Sequence, residues 1–201
     1  MSPKVSLPKF LDQEALANAP STSSMPSKKE EWVEFLKLPL SYQRKKEEKA
    51  VVVVLLFAGN RVLFQLRDEK PWIIYPGHWG YFGGMIEDGE APEETVYREI
   101  KEELGFQPMN LGYLGIFRLL DHNNLLSYAF CCDLPKLDWH LYEGMDAALF
   151  SIEEVKTGFL LSKKLNKTFP VIPTDYVPFL FKACLEKRKN EADKGIKAIF
   201  I

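Results

Sequence analysis

The run Ala50 to Ala58 is dense in valine and leucine, the pattern of a strand buried on both faces. The segment after it alternates, with Val62, Phe64 and Leu66 set against Arg61, Gln65 and Arg67. Gly59-Asn60 between the two predicts a hairpin. The same logic predicts a second hairpin from Leu111 to Leu120 and Leu125 to Asp133, joined by the polar turn Asp121-His122-Asn123-Asn124. Cys131 and Cys132 alternate across the last of these strands, so one should face the core, and nothing marks either as a nucleophile.

Helical patterns fill the remainder. Residues 92 to 104, between the hairpins, have Pro92 in the first turn and Gly105 just past the end. Ser151-Ile152-Glu153-Glu154 has capping-box spacing and opens a short helix after the apolar run Ala147 to Phe150. Ser27, with Glu30 three residues on, predicts another capped helix that buries Trp32, Phe35 and Leu36. Asp175 to about Lys189 reads as a helix with Val177, Phe181, Cys184 and Leu185 inward and Pro178 in its first turn.

Residues 1–30, with scattered prolines and the stretch Pro20-Ser21-Thr22-Ser23-Ser24, are expected to form a flexible arm. Residues 31–190 are expected to form one domain and residues 191–201 a tail of no clear structure. A chain of 201 residues, 46% hydrophobic and 27% charged, has material for one well-filled core. Its formal net charge of −2 gives no general electrostatic reason to bind nucleic acid or an anionic membrane. Three unevenly spaced cysteines do not make a disulfide framework, and no apolar run approaches the ~20 residues that span a bilayer. The expectation is an unexported, cytoplasmic protein.

Candidate chemistry is concentrated in the predicted helix at residues 92 to 104. Between Gly83 and Phe106 lie eight acids, Glu87, Asp88, Glu90, Glu93, Glu94, Glu99, Glu102 and Glu103, against the two bases Arg98 and Lys101. At 100° per residue, Glu99, Glu102 and Glu103 share one arc of the helix, beside an apolar arc of Val96, Tyr97, Ile100 and Leu104. Arg98 is spaced to pair with Glu94 and Glu102. Clustered carboxylates suit Mg²⁺, with Mn²⁺ as a substitute, because hard cations favour oxygen ligands. The competing reading of any glutamate-rich helix is a solvated acidic face.

The spacing decides between the two. From Gly84 the chain reads Gly, five residues, Glu90, seven residues, Arg98-Glu99-Ile100, one residue, Glu102-Glu103, one residue, Gly105-Phe106. This resembles the Nudix box at every defining position, directly over residues 83–106 and more loosely over about 50–155. The resemblance implies an α/β fold, an α/β/α sandwich with a mixed β-sheet and the box helix packed against it. It also implies metal ligation by Glu99, Glu102 and Glu103, one of them acting as the base that activates water. Arg98 would orient the carboxylates, Glu90 would support the outer metal shell, and the Gly83 carbonyl would be a further ligand. Two departures stand out: Ala91 where many members have a capping serine, which costs the helix ~1 kcal/mol, and Phe82 where many have proline.

Family members often add an acid from a later loop, for which Glu143 is the first candidate and Asp146 the second. Gln65, Arg67, His78, Trp79 and Tyr81 are candidate substrate contacts, with Tyr75 and Phe117 further stacking partners. The implied activity is magnesium-dependent hydrolysis of a diphosphate linkage in a nucleoside diphosphate derivative. A nucleoside triphosphate, an oxidised one included, comes first, giving a nucleoside monophosphate and pyrophosphate. ADP-ribose or a nucleotide sugar comes next. The reading from another class is a non-catalytic nucleotide-binding regulatory module, which the intact ligand positions oppose. The expected partner is a small-molecule nucleotide, with neither nucleic acid nor membrane, and the protein is expected as a monomer or homodimer.

Overall fold

The structure is a computed structural model and describes residues 33–186, apart from 37, 46, 121–122, 136–138, 173–176 and 178–179. The arm at 1–30, the tail at 191–201, Ser27, Glu30 and Trp32, and the start and end of the C-terminal helix at Asp175 and Lys189 lie outside these residues.

Both predicted hairpins form. Strands β2 (Ala50–Ala58) and β3 (Arg61–Leu66) are antiparallel across a turn in which Gly59 takes a φ of 62°. Strands β5 (Met109–Leu119) and β6 (Leu125–Asp133) are likewise antiparallel. A third pairing unites the hairpins: β2 runs parallel to β6, from Ala50 against Leu126 to Phe57 against Asp133. With β1 (Val33–Leu36), β4 (Trp79–Gly80) and β7 (Asp146–Phe150) this gives a mixed seven-stranded sheet in the order β1-β5-β6-β2-β3-β4, β7 also pairing with β3.

Alternation along β2 divides the interior in two. Ala50, Val52, Val54 and Leu56 enter one core with Val96, Ile100 and Leu104 of the helix α1 (Pro92–Leu104). Leu55 and Phe57 enter the other, with Val177, Leu180, Phe181 and Cys184 of a segment that is helical at 177 and 180–186. Helices therefore cover both faces of the sheet, as the α/β/α expectation requires. Cys131 and Cys132 are both buried, one in each core, because opposite faces of this strand are both interior.

One predicted element is wrong in kind. Residues 33–36 form strand β1, paired antiparallel with β5, and Phe35 is 46% exposed instead of part of a buried helical stripe. Its ring instead lies 5.1 Å from that of Phe117 across the strand pair. Pairing with the edge of β5 satisfies the backbone of residues 33–36, which outweighs their helical pattern.

The capping box at Ser151 forms as predicted, Ser151 Oγ accepting from the Glu154 amide and Glu154 from the Ser151 amide, and opens α2 (Ile152–Val155). A separate hairpin follows, β8 (Phe159–Ser162) with β9 (Lys167–Pro170).

Two features of the sheet place the site. Strand β3 pairs with β2 only at Arg61 to Leu63, and beyond that Gln65 and Leu66 pair with β4. The chain from Trp79 to Met85 therefore lies where β2 and β3 part, bridged to β2 at Phe82–Val54 and Met85–Val51. This brings Gly83 and Gly84 against the face of α1 that carries its acids.

Candidate active site

The 13-residue helix α1 has a favourable start without a capping side chain. Ala91 offers none, as its residue type dictates, but Glu94 reaches back to accept from the Ala91 amide at 2.8 Å and Thr95 Oγ1 donates to the Ala91 carbonyl. Glu94 is thereby unavailable to Arg98, and the predicted Glu94–Arg98 pair does not form. Arg98 turns instead to Glu90, donating from Nε and Nη2 to its two oxygens, both at 2.9 Å. Its Nη2 also donates to the Met85 carbonyl at 2.9 Å, and its Nη1 to Glu99 at 2.5 Å. The guanidinium holds the Glu90 carboxyl down to about 2, well below its ordinary range.

Glu99 and Glu103 are almost wholly buried, whereas the side chain of Glu102 is 61% exposed and 3.6 Å from Arg98. Burial pushes the Glu99 carboxyl up to about 7, with Glu102 and Glu143 adding repulsion against the pull of Arg98. Glu103 is raised well above its ordinary value by burial first and by the Glu99 charge second. Its oxygens accept from Gln65 Nε2 at 3.0 Å and from the Gly83 amide at 3.1 Å. Gly84 is required beneath Glu99, since a Cβ there would lie 2.2 Å from Glu99 Oε1. The carbonyls of Phe82 and Gly84 accept from the Val54 and Val52 amides, but among the described residues that of Gly83 accepts nothing.

Beside Glu103 opens a cavity of about 140 Å³. Its apolar wall includes Val51, Val53, Ile73, Ile74 and Leu125, and its polar edge carries Arg67, Asp68, Glu103 and Glu143. Arg67 donates from Nε to the Ile74 carbonyl at 2.7 Å, and burial lowers its pKa against the opposing charges of Glu103 and Glu143. The Glu143 backbone is held by Gln65 Nε2, which donates to its carbonyl at 3.1 Å. Its carboxylate acts on Glu99, Glu103 and Arg67 alike, so this loop acid belongs to the cluster.

Among the described residues no three acidic, His or Cys side chains form a ready-made metal cage. Hydrogen bonds hold them apart, Glu99 toward Arg98 and Glu103 toward Gln65 and Gly83. The donor set nevertheless fits a hard dication: two buried carboxylates with raised pKa values, two more acids near them and a carbonyl with no other partner.

The NUDIX domain model matches residues 46–173, well over half the chain. The chain belongs to the NUDIX family. Over 49 residues, 24% of this chain and 33% of the relative, it is 43% identical to the nucleoside triphosphatase NudI of Escherichia coli. Over 64 residues, 32% of this chain and 22% of the relative, it is 36% identical to the NAD-capped RNA hydrolase NudC of Pseudomonas aeruginosa. The matched segments thus span a third or less of these relatives. Among solved structures it is similar to a MutT protein from Methanosarcina mazei, with TM-score 0.53, 21% identity, and coverage of 73% of this chain and 99% of that one. A MutT NUDIX hydrolase from Burkholderia pseudomallei gives TM-score 0.53 and 17% identity, covering 69% and 98%. At these identities the structural likeness speaks for the fold alone.

Within this Nudix domain the box residues come together, but several expected substrate contacts do not. Trp79 is fully buried, its Nε1 donating to the Leu160 carbonyl and its ring edge-on to Phe150, so it is a core residue. Phe117 is 1% exposed and belongs to the same core. Tyr81 contributes to the cavity wall, but its hydroxyl is committed to the Val177 carbonyl. His78 stands outside that wall, with Nδ1 2.8 Å from the Pro76 carbonyl and its ring near Tyr75, which does line the cavity. Asp146 lies apart from the acids, accepting from Ser162 Oγ at 2.6 Å.

Gln65 lies on the wall but is buried and occupied by Glu103 and the Glu143 carbonyl. Sequence reasoning passed over the cavity residues Ile73 and Ile74. The signal was present, two adjacent aliphatics between Trp72 and Tyr75 in the proline-punctuated loop from Asp68 to Gly77.

Proposed function

We propose that this protein hydrolyses the diphosphate linkage of a nucleoside diphosphate derivative, a nucleoside triphosphate first, oxidised ones included, releasing a nucleoside monophosphate and pyrophosphate. The observation that carries this reading is the buried pair Glu99 and Glu103, both with raised pKa values, beside an apolar cavity. Buried carboxylates that repel each other are stabilised by a cation and are otherwise a cost to the fold.

Glu99, Glu102 and Glu103 would hold Mg²⁺, or Mn²⁺ in its place, with the Gly83 carbonyl and Glu143 as further ligands. Bound there, the cation supplies charge neutralisation at the phosphates and a more acidic water. The remaining chemistry belongs to the chain. Arg98, braced by Glu90, fixes the direction of Glu99. Gln65 and the Gly83 amide fix Glu103, and Glu99, its carboxyl raised to about 7, is suited to take a proton from attacking water. Arg67, on the polar rim of the cavity, would meet a phosphate or a base edge. The cavity approaches the size of an engineered apolar site of about 150 Å³ that accepts benzene, which suits one flat ring of the substrate's base.

The test is product analysis with Mg²⁺ and with EDTA across nucleoside triphosphates, oxidised guanine nucleotides, ADP-ribose, nucleotide sugars and dinucleoside polyphosphates. Metal-dependent release of a nucleoside monophosphate from one class is expected. Folded protein that binds Mg²⁺ and turns over none of them would overturn the proposal in favour of a binding module.

A further inference from the structure

The β8–β9 hairpin lies outside the catalytic machinery and has two faces of opposite character. Its inward face is fully engaged. Leu160 and Phe169 are buried, the Leu160 carbonyl accepts from Trp79 Nε1, and Ser162 Oγ donates to Asp146. The Ile172 amide, just past β9, donates to the Trp79 carbonyl. The hairpin is thereby fastened to the domain, and its outward residues are not needed for its folding.

Those outward residues are apolar. Phe159 is 61% exposed, Leu161 49% and Leu165, in the connecting turn, 42%. Phe159 and Leu161 are two apart on one strand and so project to the same side. None of the three lines the cavity beside Glu103. Lysines flank them: residues 155–172 carry Lys156, Lys163, Lys164 and Lys167 and no acid, which outnumber the neighbouring Glu153 and Glu154, the latter felt by Lys163, in a chain whose net charge is −2.

We propose that this hairpin docks the protein on an anionic lipid surface, with Phe159, Leu161 and Leu165 entering the headgroup region and the lysines meeting the lipid anions. The chemistry favours lipid over the other occupants. A second copy would bring the same lysines against these. A nucleic acid has no use for two exposed leucines. A bilayer interface requires no groove, and it accepts an apolar tip ringed by lysines. The net charge of the whole chain conceals this local excess.

The experiment is co-sedimentation of the full chain with vesicles of phosphatidylcholine alone or mixed with phosphatidylserine. Binding to the serine-lipid vesicles at least about tenfold tighter than to the neutral ones is expected, weakening with salt. The double variant Phe159→Ser, Leu161→Ser and the double variant Lys163→Glu, Lys167→Glu should each lose this binding while melting normally and keeping full turnover of a soluble substrate. The proposal is overturned by absence of binding, by equal binding to both vesicles, or by serine variants that still bind. It is equally overturned if the wild type is a dimer in solution that the serine variants dissociate. The vesicle-binding and oligomer readouts need no substrate, so their outcome is separable from the proposed hydrolysis.

Discussion

Gln65 Nε2 donates at once to Glu103 Oε1, at 3.0 Å, and to the Glu143 carbonyl, at 3.1 Å. One amide thus fixes a buried acid of α1 and the loop that supplies a further acid. Gln65→Leu removes both bonds, leaving Glu103 with the Gly83 amide alone. Lost orientation of a ligand-supporting group typically costs 10- to 100-fold in metal affinity or activity, so a fall in kcat of about that size is expected. Calorimetric Mg²⁺ titration should show weaker binding in parallel. An unchanged kcat and affinity would remove Gln65 from the site.

Glu103→Gln keeps the shape of the side chain and removes a charge that burial and Glu99 both oppose. Turnover should fall by about 10³-fold or more, whereas the metal-free melting temperature should hold or rise. A large drop in melting temperature would mean that Glu103 stabilises the fold instead of burdening it.

Gly84→Ala sets a methyl group 2.2 Å from Glu99 Oε1, so the carboxylate must move. The expected result is near-complete loss of activity in a protein whose circular dichroism is unaltered. Full activity would show that Glu99 works from some other position.

The pH dependence of stability has two opposite arms. Folded Glu99 has its pKa raised from 4.5 to about 7, so between these values the folded state holds a proton that the unfolded chain has released. Metal-free stability therefore falls as pH rises through that window. Folded Glu90 has its pKa lowered from 4.5 to about 2, so its contribution is complete above 4.5 and is lost as pH falls toward 2. Thermal melts in EDTA should show a maximum in the weakly acidic range. Mg²⁺ should raise the melting temperature more at pH 8 than at pH 5. An equal Mg²⁺ effect at the two pH values would contradict ligation by these carboxylates.

The parts legible in the sequence were those set by local spacing. Periodicity at Ala50 to Arg67 and at Leu111 to Asp133 placed both hairpins, and Pro92 and Gly105 bounded α1. The box placed Glu99, Glu103, Arg98 and Glu90 in one network. What failed depended on distant partners. β1 is a strand because β5 offers an open edge, and Trp79 is core because β8 covers it and Leu160 accepts its N–H. Glu94 was expected on Arg98, but an uncapped helix start drew it to the Ala91 amide. The partners of an exposed-looking alternation, such as Gln65 in β3, become visible only when β7, β4 and α1 close over it.

The most direct test of the central claim is nucleoside monophosphate release from a nucleoside triphosphate, followed in one preparation of wild type and one of Glu103→Gln, each with Mg²⁺ and with EDTA. Release by the wild type with Mg²⁺ alone, and by the variant in neither condition, is the predicted result. Release that persists in EDTA, or in the variant at the wild-type rate, would contradict a metal-dependent site built on Glu103.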